Sequence, residues 1–214
     1  MKVFLDSNIF QHSATTYRTS VIYFGGAKPG ESLVRRGSIK TIHKKPAQGE
    51  ELRKEIECLP KLAAKLKQIE ATLITDFENI YSEVHKVGFS ELFYGSHIRY
   101  ANRPPAFETS LGVPSWLSSG PTKNRFHNFL HRLKNPRFLE LARYAGGLQG
   151  TCYNYNQLAD AYFLWCAEVN CADYFLTLDF RLRRSVSKAK GLVYNPKIVT
   201  ATELLAELNN SRSS

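Results

Sequence analysis

The sequence predicts an α/β fold: a central parallel sheet flanked by helices, carrying a basic β-rich insert and one long helix. Three observations predict it. Lys2-Val-Phe-Leu5 and Tyr174-Phe-Leu-Thr-Leu178 are short, apolar, β-rich runs of the kind that form strands buried on both faces. Each is closed by an aspartate, Asp6 and Asp179. Strand-like runs then alternate with segments of helical periodicity, the pattern of a parallel sheet with crossover helices. Carboxylates at the carboxyl ends of parallel strands stand where open α/β sheets receive ligands. Mg²⁺ and Mn²⁺, hard cations that prefer oxygen donors, suit such positions.

The elements follow in order. After the first strand, Ser7 and Asn8 are turn and capping residues. Residues 17–45 change in texture: Val21–Phe24 ends in Gly25-Gly26, Ser38–His43 alternates, and Lys28-Pro-Gly30 and Arg35-Arg36-Gly37 lie between. This reads as a basic, hairpin-like excursion. Residues 47–59 predict a short charged helix stopped by Pro60. Leu62, Leu66, Ile69, Leu73, Phe77, Ile80 and Val84 then recur every three or four residues, which predicts one long amphipathic helix ended by Gly88. Ser90 can cap a further helix through Leu92, Phe93 and Tyr94. Residues 102–121, rich in proline and glycine, read as a loop.

Phe126, Phe129, Leu130 and Leu133 mark a helix ended before Pro136, and Phe138–Tyr144 another, stopped by Gly146-Gly147. Asn154 or Asn156 can cap a helix carrying Leu158, Ala161, Tyr162, Trp165 and Val169, followed by the 174–178 strand and an Arg-rich segment. A last strand, 198–200, leads into a helix over 203–208, with Thr200 and Glu203 spelling a capping box. We read 1–208 as a single domain, with an insert of approximately 11–60, and 209–214 as a disordered tail.

With 43% hydrophobic residues, the 214-residue chain has ample core material, and its formal charge of +10 favours a polyanionic partner, nucleic acid before an anionic membrane surface. No apolar stretch is long enough to span a membrane, and the short apolar run before Asp6 is unlike a signal peptide. Cys58, Cys152, Cys166 and Cys171 show no CxxC spacing, which points to reduced, inert thiols in a cytoplasmic chain.

Taken singly, each acid has a bland reading. Asp6 and Asp179 can begin turns, while Asp160 and Glu91 can sit in first helical turns, where a carboxylate gains up to about 1 kcal/mol from the macrodipole. Jointly they are harder to dismiss. Asp173 precedes its strand and belongs to the opposite edge; Glu78 and Glu83 fall on the long helix. His127 and His131 have i, i+4 spacing but lack the Glu of a zinc motif, so a solvent- or RNA-facing pair is the better reading.

The joint pattern resembles the PIN-domain nucleases, VapC-like ribonucleases among them. Val3-Phe-Leu-Asp-Ser-Asn8 is similar to that family's opening strand, Phe89-Ser-Glu-Leu-Phe-Tyr-Gly95 to its second block, and Asp160 through Ala172-Asp-Tyr-Phe-Leu-Thr-Leu-Asp179 to its third and fourth acids. The gap between Asp6 and Glu91 is far longer than in compact members. The resemblance implies a PIN-like fold and an endoribonuclease that hydrolyses phosphodiester bonds. Asp6, Glu91, Asp160 and Asp179 would then be the catalytic acids and ligands of Mg²⁺ or Mn²⁺, and Ser7, Asn8 and Thr177 would orient them. Arg181, Arg183 and Arg184 beside Asp179, and Arg35 and Arg36 in the excursion, are the expected nucleic-acid-binding residues. RNA is the expected partner, with DNA the alternative substrate; a homodimer and an antitoxin-like protein are further partners the resemblance allows, and no membrane is expected. A catalytically silent RNA-binding module of the same fold is the rival reading.

Overall fold

The structure, a computed structural model, describes residues 1–13, 16–24, 35–43, 47–76, 93–104, 122–146, 148–149, 152–153, 155–189 and 191–210; side chains are not described for 16–24, 35–43, 122–125, 127, 148–149, 152–153 and 155. Five strands, β1 (Lys2–Leu5), β4 (Thr72–Thr75), β5 (Ile98–Tyr100), β8 (Tyr174–Leu176) and β9 (Lys197–Val199), form the central sheet in the order β5-β4-β1-β8-β9. Every pairing is parallel. Burial explains why the central runs are apolar throughout: β1 packs Phe4 into one core, with Ile74 and Phe175 beside it, and Val3 and Leu5 into a second core on the other face. One core is filled by helices α3 (Thr122–Arg132), α4 (Pro136–Tyr144) and α5 (Tyr155–Val169). The other is filled by α1 (Ser7–Ser13), α2 (Glu50–Gln68) and α7 (Ala201–Asn210). The remaining helix, α6 (Phe180–Ser187), follows β8. No helix among the described residues is long and apolar enough to cross a membrane.

Two expectations are corrected here. Pro60 does not stop a helix: α2 runs through it as one 19-residue element. Proline inside a helix costs about 3 kcal/mol. Leu59, Leu62 and Leu66 are each 0% exposed, and burying a leucine side chain contributes roughly 2 kcal/mol, so packing outweighs the break. Nor does a long helix continue beyond it. Glu70 takes φ 50°, its N–H bonds to the Lys67 carbonyl, and the Ala71 N–H bonds to that of Leu66. This Schellman ending turns the chain into β4, whose Leu73 and Ile74 feed opposite cores. The apolar spacing across 66–73 was strand and helix run together. Residues 77–88, the rest of that expected helix, lie outside the described residues.

Between α1 and α2, β2 (Thr16–Phe24) and β3 (Arg35–His43) pair antiparallel as a separate two-stranded ribbon, not joined to the central sheet. The excursion is thus a hairpin, and α2 packs its buried face into the second core. β6 (Leu148–Gln149) and β7 (Cys152–Tyr153) form a second small ribbon. At the other end, one half of the capping box is formed: the Thr200 N–H donates to Glu203 Oε2 at 3.1 Å. Buried Glu55 reaches from α2 to accept the Thr202 N–H at 2.9 Å, satisfying an orphan donor of α7.

α5 ends in the same Schellman geometry as α2, with Cys171 at φ 51° and the Ala172 N–H on the Ala167 carbonyl. A residue with a Cβ is strained there by about 1–2 kcal/mol. Cys171→Gly is therefore expected to stabilise the protein by about 0.5–1 kcal/mol, read as a higher urea midpoint at unchanged slope.

Candidate functional site

β1 is the strand at which the sheet changes direction, the chain going outward to β4 and β5 on one side and to β8 and β9 on the other. Connections leaving opposite ways open a crevice at the carboxyl ends of the neighbouring strands, here β1 and β8, and such crevices are where ligands bind. Asp6 is the residue after β1, and Asp179 follows β8 by three residues.

Asp6 is 4% exposed and held from three sides. Its Oδ1 accepts the Ser7 N–H at 2.7 Å; its Oδ2 accepts Asn8 Nδ2 and the Thr177 hydroxyl, each at 2.7 Å. The same Thr177 oxygen accepts Asn8 Nδ2 and the Asp179 N–H, both at 3.0 Å. One donor and two acceptor positions exhaust a hydroxyl, so Thr177 is a saturated hub between the two strand ends. Asn8 Oδ1 completes the lock by accepting the Leu178 N–H at 3.0 Å. Asn8 and Thr177 thus hold Asp6 through their side chains, and Ser7 through its backbone alone.

Asp179 N-caps α6, its Oδ1 accepting the Arg181 and Leu182 N–H groups at 2.8 and 2.9 Å. Its turn-forming reading and its place at the crevice hold together, because Oδ2 stays uncommitted among the described residues. Asp160 is in the second turn of α5, beyond the reach of the helix N-terminal charge. It makes no hydrogen bond among the described residues, yet it feels both other acids. Burial first, then the charges of Asp6 and Asp179, push its carboxyl up to about 8, against a lowering by Arg181. Burial likewise lifts Asp6 to about 6, Asp179 adding to the rise, while hydrogen bonds from Thr177, Ser7 and Asn8 oppose it.

The three described acids of the expected four are thus brought to one crevice. Among the described residues, no three His, Cys, Asp or Glu side chains close on one another tightly enough to enclose an ion by themselves. The fourth, Glu91, lies outside the described residues, as do Glu78 and Glu83. The helix expected through Phe93 and Tyr94 is corrected: Phe93, Tyr94 and Gly95 take φ of 43°, 58° and 70°, a left-handed turn. Asp173 holds the Lys2 N–H at 2.7 Å on the opposite edge, as expected.

One acid was missed. Asp76 follows β4 as Asp6 follows β1, is fully buried, and accepts Arg103 Nε at 3.2 Å. Leu73-Ile-Thr-Asp76 is the same apolar-run-then-aspartate signal that marked Asp6; it was hidden by the false helical period. With a guanidinium beside it, Asp76 differs electrically from the other three.

Of the basic residues, Arg181 is exposed and its charge reaches Asp160. Arg183 is ion-paired with Glu203 across to α7, and Arg184 Nε donates to the Phe180 carbonyl at 3.1 Å. Arg35 and Arg36 lie on β3; their side chains, like that of His127, are outside the described residues.

The donor set fits a divalent cation chemically: the carboxylates repel one another, two are desolvated, and the described counter-charge is Arg181 alone. Compared with known protein families, curated proteins and solved structures, the chain matches none of them.

Proposed function

We propose that the chain is a PIN-like, Mg²⁺- or Mn²⁺-dependent nuclease that hydrolyses phosphodiester bonds, RNA being the favoured substrate. One observation carries the reading: Asp160, mostly buried and without a hydrogen-bond partner among the described residues, feels the charges of both Asp6 and Asp179 at the crevice. A largely buried acid with no hydrogen-bond partner among the described residues, beside two other acids and offset only by the charge of Arg181, is unfavourable as structure and well suited to cation binding. The net charge of +10 supports a nucleic-acid substrate.

When bound, Mg²⁺ or Mn²⁺ would supply an acidified water and positive charge against the phosphate. The chain's own residues set the stage. Asn8 and Thr177 fix the Asp6 carboxylate in one orientation. The start of α6 fixes Asp179. Asp160, once ionised, adds the third negative charge, and Arg181 offers a guanidinium to the substrate backbone.

Labelled RNA and DNA oligonucleotides incubated with the protein in Mn²⁺ or EDTA test this. Cleavage of RNA only with the metal is expected; cleavage that persists in EDTA would overturn it. Replacing Arg181 by Ser should reduce the log–log salt slope of single-stranded RNA binding by roughly 0.7, the value of one phosphate contact. Arg183→Ser should leave the slope unchanged, since its guanidinium is engaged by Glu203.

A further inference from the structure

At the amino-terminal edge of β4 and β5, opposite the acids, lies a cavity of about 460 Å³ lined by Lys67, Glu70, Ser96, His97 and Arg99, among others. That volume is within the range of small-ligand sites. β4 is four residues long, so at about 3.3 Å per residue the cavity lies roughly 13 Å from the carboxyl edge. No ion pair among the described residues takes up Lys67, His97 or Arg99. The turn that leads into the wall is also strained. Phe93 and Tyr94 both adopt the left-handed region, at about 1–2 kcal/mol each for residues with a Cβ. That turn, anchored by fully buried Phe93, delivers Ser96 and His97 to the cavity. Backbone strain of this kind gathers at ligand sites.

We propose that this cavity binds a phosphate group carried on a nucleoside, as a mononucleotide or as a phosphate of an oligonucleotide. Arg99 presents a planar fork that can engage two phosphate oxygens, and Lys67 a mobile point charge. His97 and the Ser96 hydroxyl add hydrogen-bond donors. Glu70 alone opposes an anion. A carboxylate accepts hydrogen bonds only, and it therefore suits a ribose diol and selects a nucleotide over bare phosphate. The site stands on its own residues and does not depend on the nuclease reading.

Calorimetric titration of 5′-AMP, adenosine and inorganic phosphate, all in EDTA, tests it. Binding of AMP below about 1 mM is expected, with adenosine and inorganic phosphate at least about tenfold weaker, a factor worth 1.4 kcal/mol. Lys67→Ser combined with Arg99→Ser should lose at least about tenfold in AMP affinity. Both side chains are exposed, so an unchanged thermal midpoint will show that the fold is intact. Asp160→Asn should leave AMP affinity alone, which separates this site from the acidic crevice. Equal affinity for AMP and adenosine, or wild-type affinity in the double variant, would overturn the proposal. Hexanucleotides with and without a 5′-phosphate then identify the source: stronger binding of the phosphorylated one assigns a chain end. Equal binding that the double variant loses assigns an internal phosphate.

Discussion

Asp160→Asn is expected to abolish hydrolysis while making the metal-free protein more stable at pH 8. The two effects have one cause. The Asp160 carboxyl lies at about 8 in the folded chain against an ordinary 3.8, so the protonated form favours folding. That contribution is complete below about pH 4 and is lost as pH rises through 8, at about 1.4 kcal/mol per displaced unit. Asp6, raised to about 6, adds a smaller loss between pH 4 and 6. Because the acids are coupled, the curve belongs to the set rather than to one residue. The asparagine keeps the size and removes the charge. At pH 8 in EDTA the variant should exceed wild type by a few kcal/mol in urea denaturation, and at pH 4 the two should agree within about 0.5 kcal/mol. Millimolar Mg²⁺ should stabilise wild type and not the variant. A rate loss of about a thousandfold, near 4 kcal/mol of barrier, is expected alongside. A variant less stable than wild type at pH 8 would show that Asp160 serves the fold instead.

Thr177→Val should be the most damaging near-isosteric change in the crevice. Thr177 is fully buried, and its hydroxyl joins Asp6, Asn8 and the Asp179 N–H. Valine leaves three polar groups short of a partner, at about 1–3 kcal/mol for a buried one and more where charge is involved. A loss of about 3 kcal/mol is expected, measured by urea denaturation at pH 7. Since the hydroxyl lowers the Asp6 carboxyl, its removal should raise that carboxyl further and weaken Mn²⁺ binding. Thr177→Ser keeps the hydroxyl and should restore metal affinity even where stability recovers in part. If valine and serine weaken Mn²⁺ binding alike, the hub has no hold on the site.

The crevice was legible because its signals are local. A buried strand followed by an aspartate needs only a handful of adjacent residues, and Ser7, Asn8 and Thr177 lie within two positions of Asp6 or Asp179. The Thr200–Glu203 box was legible for the same reason. What failed depended on residues far apart. Leu66, Ile69 and Leu73 satisfy a helical period, and nothing adjacent announces that Thr72–Thr75 is claimed by β1 on one side and β5 on the other. A break at Pro60 was the sound local reading, but burial of α2 against α7 overrides propensity. Asp76 vanished with its strand. The left-handed turn at Phe93 and Tyr94 runs against the preference of both residues, so no propensity argument could have found it.

The central position of β1 has a kinetic consequence. Its side-chain partnerships span 70 residues, from Thr75 to Leu5, and 171, from Thr177 to Asp6. Closing loops of that length before any contact rewards them makes folding slow. During synthesis, helices α1 and α2 can form early, but the sheet cannot be completed until β8 and β9 have been made. The three acids are therefore strangers until Asp179 has been made, and become neighbours together only as the sheet closes and its core helices dock.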